Sequence, residues 1–287
     1  MNHSKVLVTG IDGFTGQHLS KNLLKSGFEV VGLNANIINR EAIFEEIKKI
    51  SPNYVVHLAG LSFAGEVRVR ELYDVNVQGT VNILDALNNL AQHPTKIILC
   101  SSATVYGDEA KNIASEDSHL SPTNHYGCSK LAMECLAKTY FDKLPIIITR
   151  PFNYTGIGQE DIFVIPKIVN AYASGKKSIE LGNLNIYREF NDVRDVTRVY
   201  CELLKSISKS KILNICSGRS ICLRDVINKL DKISGIKMQV NVNESFVRLN
   251  EIKNLCGSNL ELKKIYKDSF IYNLEDTLKW MYQNKAS

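Results

Sequence analysis

Short apolar runs rich in β-branched residues alternate with longer segments of helical period through the first half of the chain. Residues 5–9, 29–33, 54–59, 96–100 and 145–149 read as strands. Residues 16–26 repeat leucine at helical spacing (Leu19, Leu23, Leu24), and 40–50 carries Ile43, Phe44, Ile47 and Ile50 along one stripe. Residues 75–90 and 126–141 also read as helices. Apolar strands separated by helices predict a parallel sheet covered on both faces, with right-handed crossovers. After Arg150-Pro151 the pattern changes. Polar loops interrupt shorter elements: helices over 165–173 and 223–233, strand-like runs over 211–216 and 238–242. No Ser/Gly linker and no repeat divides the chain, so the two parts are expected to form one packed unit. The expected organisation is a doubly wound α/β domain over 1–160 and a smaller α/β lobe mainly from 161–287, some later segments returning to the first.

Composition narrows the classes. The chain has 287 residues, 44% apolar and 23% charged, which excludes a disordered or fibrous protein. A net charge of +5 without a basic run gives nucleic acid little to grip, though it suits an anionic small molecule. The seven cysteines include no Cys-x-x-Cys and have no histidine pair nearby at zinc spacing, so no metal site is expected. They read as reduced, buried thiols of a cytoplasmic protein. The N-terminus runs directly into a strand pattern, so no signal peptide is expected, and no apolar run approaches the ~20 residues of a membrane span.

Thr9-Gly10-Ile11-Asp12-Gly13-Phe14-Thr15-Gly16 follows the first strand and opens the first helix. Glycines at this spacing let the backbone turn tightly and approach a pyrophosphate, which the helix N-terminus then holds. Gly10, Gly13, Phe14 and Gly16 are therefore candidate cofactor contacts. The acid that binds an adenosine ribose at the end of the second strand is absent; Asn34 stands there. Asn34 can bond a 2′-hydroxyl, and Arg40 can reach a 2′-phosphate. NAD and NADP both stay open, with NADPH favoured because no carboxylate at position 34 repels its phosphate.

Tyr126 and Lys130 lie four residues apart and share a helix face. A nearby ammonium is expected to lower the phenol pKa and make it a usable acid or base. Ser102 closes the fourth strand just upstream, where a side chain faces the ligand crevice of a doubly wound sheet. The three suit a carbonyl/alcohol redox step: Ser102 bonds the oxygen, Tyr126 moves the proton, and Lys130 holds the ribose of a nicotinamide cofactor that moves the hydride.

Together, Thr9 to Gly16, His57-Leu-Ala-Gly60, Asn76, Ser101 to Gly107, Tyr126 with Lys130, and Arg150-Pro-Phe-Asn153 resemble the extended short-chain dehydrogenase/reductase family over nearly the whole chain. The resemblance implies a Rossmann-type fold with a C-terminal substrate lobe, action on nucleotide sugars, and Ser102, Tyr126 and Lys130 as the catalytic residues. It implies that Leu58, Ala59, Gly60 and Asn76 line the cofactor. It also implies a homodimer through a four-helix interface made by the helices at 75–90 and 126–141.

Dehydratases of this family carry an Asp-Glu pair after the catalytic hydroxyl; here Ala103 and Thr104 stand there, which leaves reduction or epimerisation. Cys100 and His125 lie near the catalytic residues in sequence, as in epimerases that use a Cys–His pair, but Cys100 is expected to point away. The segment 150–159, Gly182-Asn183-Leu184 with Arg188, the Arg219 turn and Arg248-Leu-Asn-Glu251 resemble GDP-4-keto-6-deoxymannose reductases. That resemblance makes Asn153, Asn183, Leu184, Arg188, Arg219, Arg248 and Glu251 candidate substrate residues, with Ser62 beside the sugar. Arginine forks suit a diphosphate, and a carboxylate accepts from ribose hydroxyls. The expected reaction is NAD(P)H-dependent reduction of the C4 ketone of a GDP-linked 4-keto-6-deoxy sugar, in synthesis of a deoxysugar precursor. The alternatives are a 4-epimerase with bound NAD and a non-catalytic nucleotide sensor.

Overall fold

The computed structural model describes residues 4–62, 68–109, 113–207, 210–247 and 252–286. Strands β1 (Lys5–Thr9), β2 (Glu29–Gly32), β3 (Tyr54–His57), β4 (Lys96–Cys100) and β5 (Ile146–Pro151) join the later strand Lys211–Ile215 in one six-stranded sheet. Its order is Lys211–Ile215, β5, β4, β3, β1, β2, and every neighbour is parallel. From β1 the chain goes outward to β2 and then returns to β3 on the other side. A crevice therefore opens beyond the C-terminal ends of β1 and β3, the usual ligand position in such sheets.

Alternate strand residues face opposite layers. Leu7, Val55, Ile97, Leu99, Ile146 and Ile148 pack with side chains of α2 (Arg40–Ile50), α4 (Thr80–Asn88) and α5 (His125–Lys138). Val6, Val8, Val56, Ile98 and Ile147 pack with α1 (Phe14–Lys25) and α7 (Val193–Lys205). The segment expected to be one helix over 75–90 begins earlier, as α3 (Val69–Tyr73). It then runs through a π-helical stretch, Asp74–Gly79, before α4. The wider turn carries Asn76, whose amide is committed to the loop after β3.

The second lobe has its own core. Helices α6 (Val164–Ala173), α8 (Leu223–Ser234) and Leu274–Ala286 bury Ile168, Val169, Tyr172, Val226, Leu230 and Leu278 together. Two parallel strands, Ser178–Leu181 and Gln239–Val242, flank them. The run at 211–216, read with the second lobe, returns to the main sheet beside β5. Among the described residues no helix is long and apolar enough to cross a membrane.

Candidate active site

The first turn after β1 is held by close packing. Gly10 has φ +68°, and a Cβ on it would lie 2.9 Å from the Ala59 nitrogen. A Cβ on Gly16 would lie 2.2 Å from the Gly10 carbonyl oxygen, so only glycine lets α1 start this close to the strand end. Gly13 is the N-cap, no side chain caps it, and no carboxylate stands in the first turn. The positive end of α1 is thus open to an anion, which fits a dinucleotide pyrophosphate. Phe14 stacks on Tyr154 with ring centres 6.0 Å apart, and Thr15 Oγ1 shares a 2.7 Å hydrogen bond with the Tyr154 hydroxyl.

A directed chain of hydrogen bonds ties this turn to the helix that carries Asn76. Ala59 N–H donates to Thr9 Oγ1 at 3.0 Å, which is 2.7 Å from His57 Nδ1. His57 Nε2 is 2.9 Å from Thr80 Oγ1, and Thr80 donates its proton to the Asn76 carbonyl. Thr80 therefore accepts from His57, so the ring carries its proton on Nε2 and accepts the Thr9 hydroxyl at Nδ1. Burial, then the charge of Lys130, pushes the His57 pKa down to about 3. The Asn76 amide accepts from Leu61 N–H at 2.8 Å and donates to the Leu61 carbonyl and Ser129 Oγ. It fixes the turn that carries Leu58, Ala59 and Gly60.

Ser102, Tyr126 and Lys130 come together beyond the end of β4. Asn124 caps α5 by accepting the Gly127 N–H at 2.8 Å, a contact worth about 1 kcal/mol, and so sets Tyr126 in the first turn. Ser102 Oγ accepts from the Thr104 N–H and hydroxyl and lies close enough to the Tyr126 phenol to favour its ionised form. Lys130 Nζ donates to the Cys100 carbonyl at 2.8 Å and lies 6.0 Å from the Tyr126 ring centre.

The electrostatics correct one expectation. Burial, reinforced by Cys100, holds the Tyr126 phenol above its ordinary pKa despite the Ser102 bond. Lys130 does not bring it down. Burial lowers the lysine's own pKa against the opposing pull of Cys100 and Glu134, and its hydrogen bond goes to the strand. The Cys100 thiol is 3.4 Å from the Tyr200 hydroxyl of α7, in the layer that packs on Ile98. His125 instead meets the Tyr73 hydroxyl at 3.4 Å, and the Cys100–His125 pairing does not form.

Residues without a role from sequence support the set. Glu134 follows Lys130 by one helical turn and accepts from Arg150 Nε (2.9 Å) and Nη2 (2.7 Å). It also accepts from Ser101 Oγ at 2.6 Å. Arg150 Nη1 donates to Tyr106, whose hydroxyl donates to Asn214. This buried network locks α5, β5 and the end of β4 together. The signal in sequence was a lone carboxylate on the same helical face as Tyr126 and Lys130.

The remaining candidates are spread over the second lobe and its edge. Asn153 is exposed, and its carbonyl accepts the Asn191 N–H at 2.9 Å. Asn183 Oδ1 accepts the Asn185 N–H. Leu184 is not available as a side chain, because the second-lobe core buries it. The Arg188 guanidinium donates to the Tyr187 and Ile252 carbonyls. Arg219 is exposed on a turn whose Ser217 and Gly218 N–H groups are held by buried Glu189. Ser62 is exposed, and Arg248 and Glu251 lie outside the described residues. Asn34 and Arg40, the candidates at the end of β2, both have partners: Asn34 bonds Glu46, and Arg40 lies 3.5 Å from Asp85. Among the described residues no group of three or more His, Cys, Asp or Glu is arranged to hold a metal ion.

A doubly wound sheet with a glycine turn after β1 and a Ser–Tyr–Lys set beyond β4 defines a Rossmann-type, NAD(P)-dependent short-chain dehydrogenase/reductase. Residues 6–216 match the NAD dependent epimerase/dehydratase family, the extended branch of that class, and the chain belongs to it. It is 32% identical over 287 residues to a GDP-6-deoxy-D-talose 4-dehydrogenase of Aggregatibacter actinomycetemcomitans, covering 98% of each chain. It is 30% identical over 274 residues to a GDP-6-deoxy-D-mannose reductase of Pseudomonas aeruginosa, covering 90% of this chain and 89% of that one. The structure of RMD from Pseudomonas aeruginosa complexed with NADPH superimposes with a TM-score of 0.88 at 26% identity, covering 99% and 98%. The chain is thus an NAD(P)-dependent enzyme of the nucleotide-sugar-modifying family.

Proposed function

We propose that this enzyme reduces the C4 ketone of a GDP-linked 4-keto-6-deoxy sugar with NAD(P)H. The observation that carries the reading is the convergence of Ser102, Tyr126 and Lys130 beyond the end of β4, with Ala103 and Thr104 where a dehydratase would need its carboxylates. A ketone reduction needs one proton donor and one hydrogen bond to the same oxygen; a dehydration needs a carboxylate pair, for which this site has no residues. The bound cofactor would supply the hydride to C4. As the carbonyl bond opens, Tyr126 gives its proton to the oxygen and Ser102 steadies the growing negative charge. Lys130, anchored to the end of β4, would hold the cofactor ribose.

The GDP-6-deoxy-D-talose 4-dehydrogenase and the GDP-6-deoxy-D-mannose reductase, similar to this chain over most of its length, support a GDP-linked substrate. Asn153, Asn183, Arg188 and Arg219, with Arg248 and Glu251, would hold the nucleotide, the arginines at the diphosphate. A homodimer through α4 and α5 belongs to the same reading; Leu136 on α5 is exposed and available for it. Supplying the purified enzyme with a 4-keto-6-deoxy sugar linked to GDP, and separately to dTDP, tests the assignment. NMR of the products should show a C4 alcohol formed faster from the GDP substrate by tenfold or more, roughly the penalty for leaving base-reading groups unpaired. Equal or faster turnover of the dTDP substrate would refute it.

A further inference from the structure

Beyond β2 the backbone presents two donors in succession, the N–H groups of Asn34 and Ala35, and one side chain takes both. Glu46, on the second turn of α2, accepts the Asn34 N–H at 2.9 Å and the Asn34 side-chain amide at 3.1 Å on Oε1. Its Oε2 accepts the Ala35 N–H at 2.7 Å. Burial opposes the charge on Glu46, but these bonds and nearby Lys49 outweigh it and hold the carboxyl below its ordinary pKa. A carboxylate therefore stands at the end of the second strand after all. It reaches there through the fold, from a helix, where position 34 itself has no acid.

The residue at this place in a dinucleotide-binding sheet discriminates between a 2′-hydroxyl and a 2′-phosphate on the adenosine ribose. A hydroxyl can donate to a carboxylate. A 2′-phosphate would bring roughly two negative charges against Glu46 and find the backbone donors already used. The cation at the start of α2 is turned elsewhere. Arg40 Nη2 lies 3.5 Å from Asp85 Oδ2, and its guanidinium sits 4.3 Å over the Phe44 ring. The RMD structure of Pseudomonas aeruginosa holds NADPH, so the inference separates this chain from that neighbour.

We propose that Glu46 is the specificity-determining residue at the ribose end of the cofactor site and makes this enzyme prefer NADH to NADPH. The proposal rests on the family's NAD(P) dependence and not on the identity of the sugar.

Calorimetric titration of the full chain with NADH and with NADPH, no sugar present, tests it. The wild type should bind NADH about tenfold or more tightly, as expected of one unfavourable like-charge contact. Glu46→Gln keeps the shape and removes the charge; it should bring the two affinities together, mainly by tightening NADPH. Glu46→Lys should reverse the preference. Thermal unfolding of each variant shows that it is folded, and Glu46 is partly exposed, so little loss is expected. Wild-type binding of NADPH as tight as NADH, or a ratio unchanged in Glu46→Gln, would overturn the proposal. Because the readout is cofactor binding alone, inactivity toward GDP-linked ketones would count against the proposed reaction and leave this inference standing.

Discussion

Lys130 and Tyr126 share one face of α5, yet the ammonium is 6.0 Å from the ring centre and donates to the Cys100 carbonyl at 2.8 Å. The lysine clamps the helix to the end of β4, and burial holds the phenol above its ordinary pKa. A Cβ on Gly60 would lie 3.2 Å from Lys130 Nζ, so the same ammonium also borders the turn expected to line the cofactor.

Replacing the acid should therefore cost chemistry and little else. Tyr126→Phe is expected to lower kcat by about 10²–10⁴-fold, the usual worth of a general acid. Its ring still packs, so the dissociation constant for reduced cofactor should stay within about twofold of wild type. Steady-state kinetics with calorimetric binding checks both values. Near-normal turnover would remove Tyr126 from the mechanism.

The buried Glu134–Arg150 pair should be a stability element that also shapes the site. Both side chains are almost fully buried. Arg150→Met leaves Glu134 without its counter-charge, which costs about 3–5 kcal/mol in a buried setting. The urea midpoint should drop accordingly. Since Glu134 also accepts from Ser101, next to Ser102, kcat should fall more than KM rises. An unchanged midpoint would contradict the buried network.

His57 gives a pH signature. Its folded pKa is pushed down to about 3, while in the unfolded chain it returns to about 6.5. Between those values the unfolded chain holds the extra proton, so stability falls as pH drops from 6.5 toward 3. One such group contributes at most about 1.4 kcal/mol per pH unit. Above pH 6.5 it contributes no slope. Urea midpoints at pH 7.5, 6 and 5 should decline less steeply in His57→Gln than in wild type. Identical slopes would show that this ring is protonated in the folded protein.

Much of the first domain could be read in the chain because burial on both faces leaves plain apolar runs. Strands 5–9 and 96–100 and the helix 40–50 coincide with the observed elements. Ser102, Tyr126 and Lys130 were legible because fixed spacing within one helix, and a position at a strand end, survive without tertiary information. Helix α7 was missed, although Val193, Val196, Val199, Tyr200, Leu203 and Leu204 follow helical spacing. Its β-branched residues have modest helix propensity, and the helix is secured by packing on α1. The place of Lys211–Ile215 at the sheet edge depends on a crossover that no local pattern encodes. Glu46 was invisible for the same reason: it is twelve residues from Asn34 and meets it only through the packing of α2.

The phosphate turn can be tested by one methyl group. Gly16→Ala places a Cβ 2.2 Å from the Gly10 carbonyl oxygen, and neither backbone can yield without moving the start of α1. Cofactor affinity should fall at least about tenfold, with a loss of stability on the order of 1–3 kcal/mol from overpacking. Titration with reduced cofactor and thermal unfolding check the two effects. Full affinity in a folded variant would place the pyrophosphate elsewhere.

The most direct measurement follows cofactor and sugar together. With enzyme, excess GDP-linked 4-keto-6-deoxy sugar and a fixed amount of NADH or NADPH, the reduced-nicotinamide absorbance and the C4 alcohol in the NMR spectrum are recorded on the same sample. A reductase with Tyr126 as its proton donor should consume one cofactor for each alcohol formed. No fall in the absorbance and no alcohol from the ketone, with interconversion of C4 configurations in a parallel sample given a GDP-sugar alcohol alone, would contradict the assignment and mark the enzyme as an epimerase.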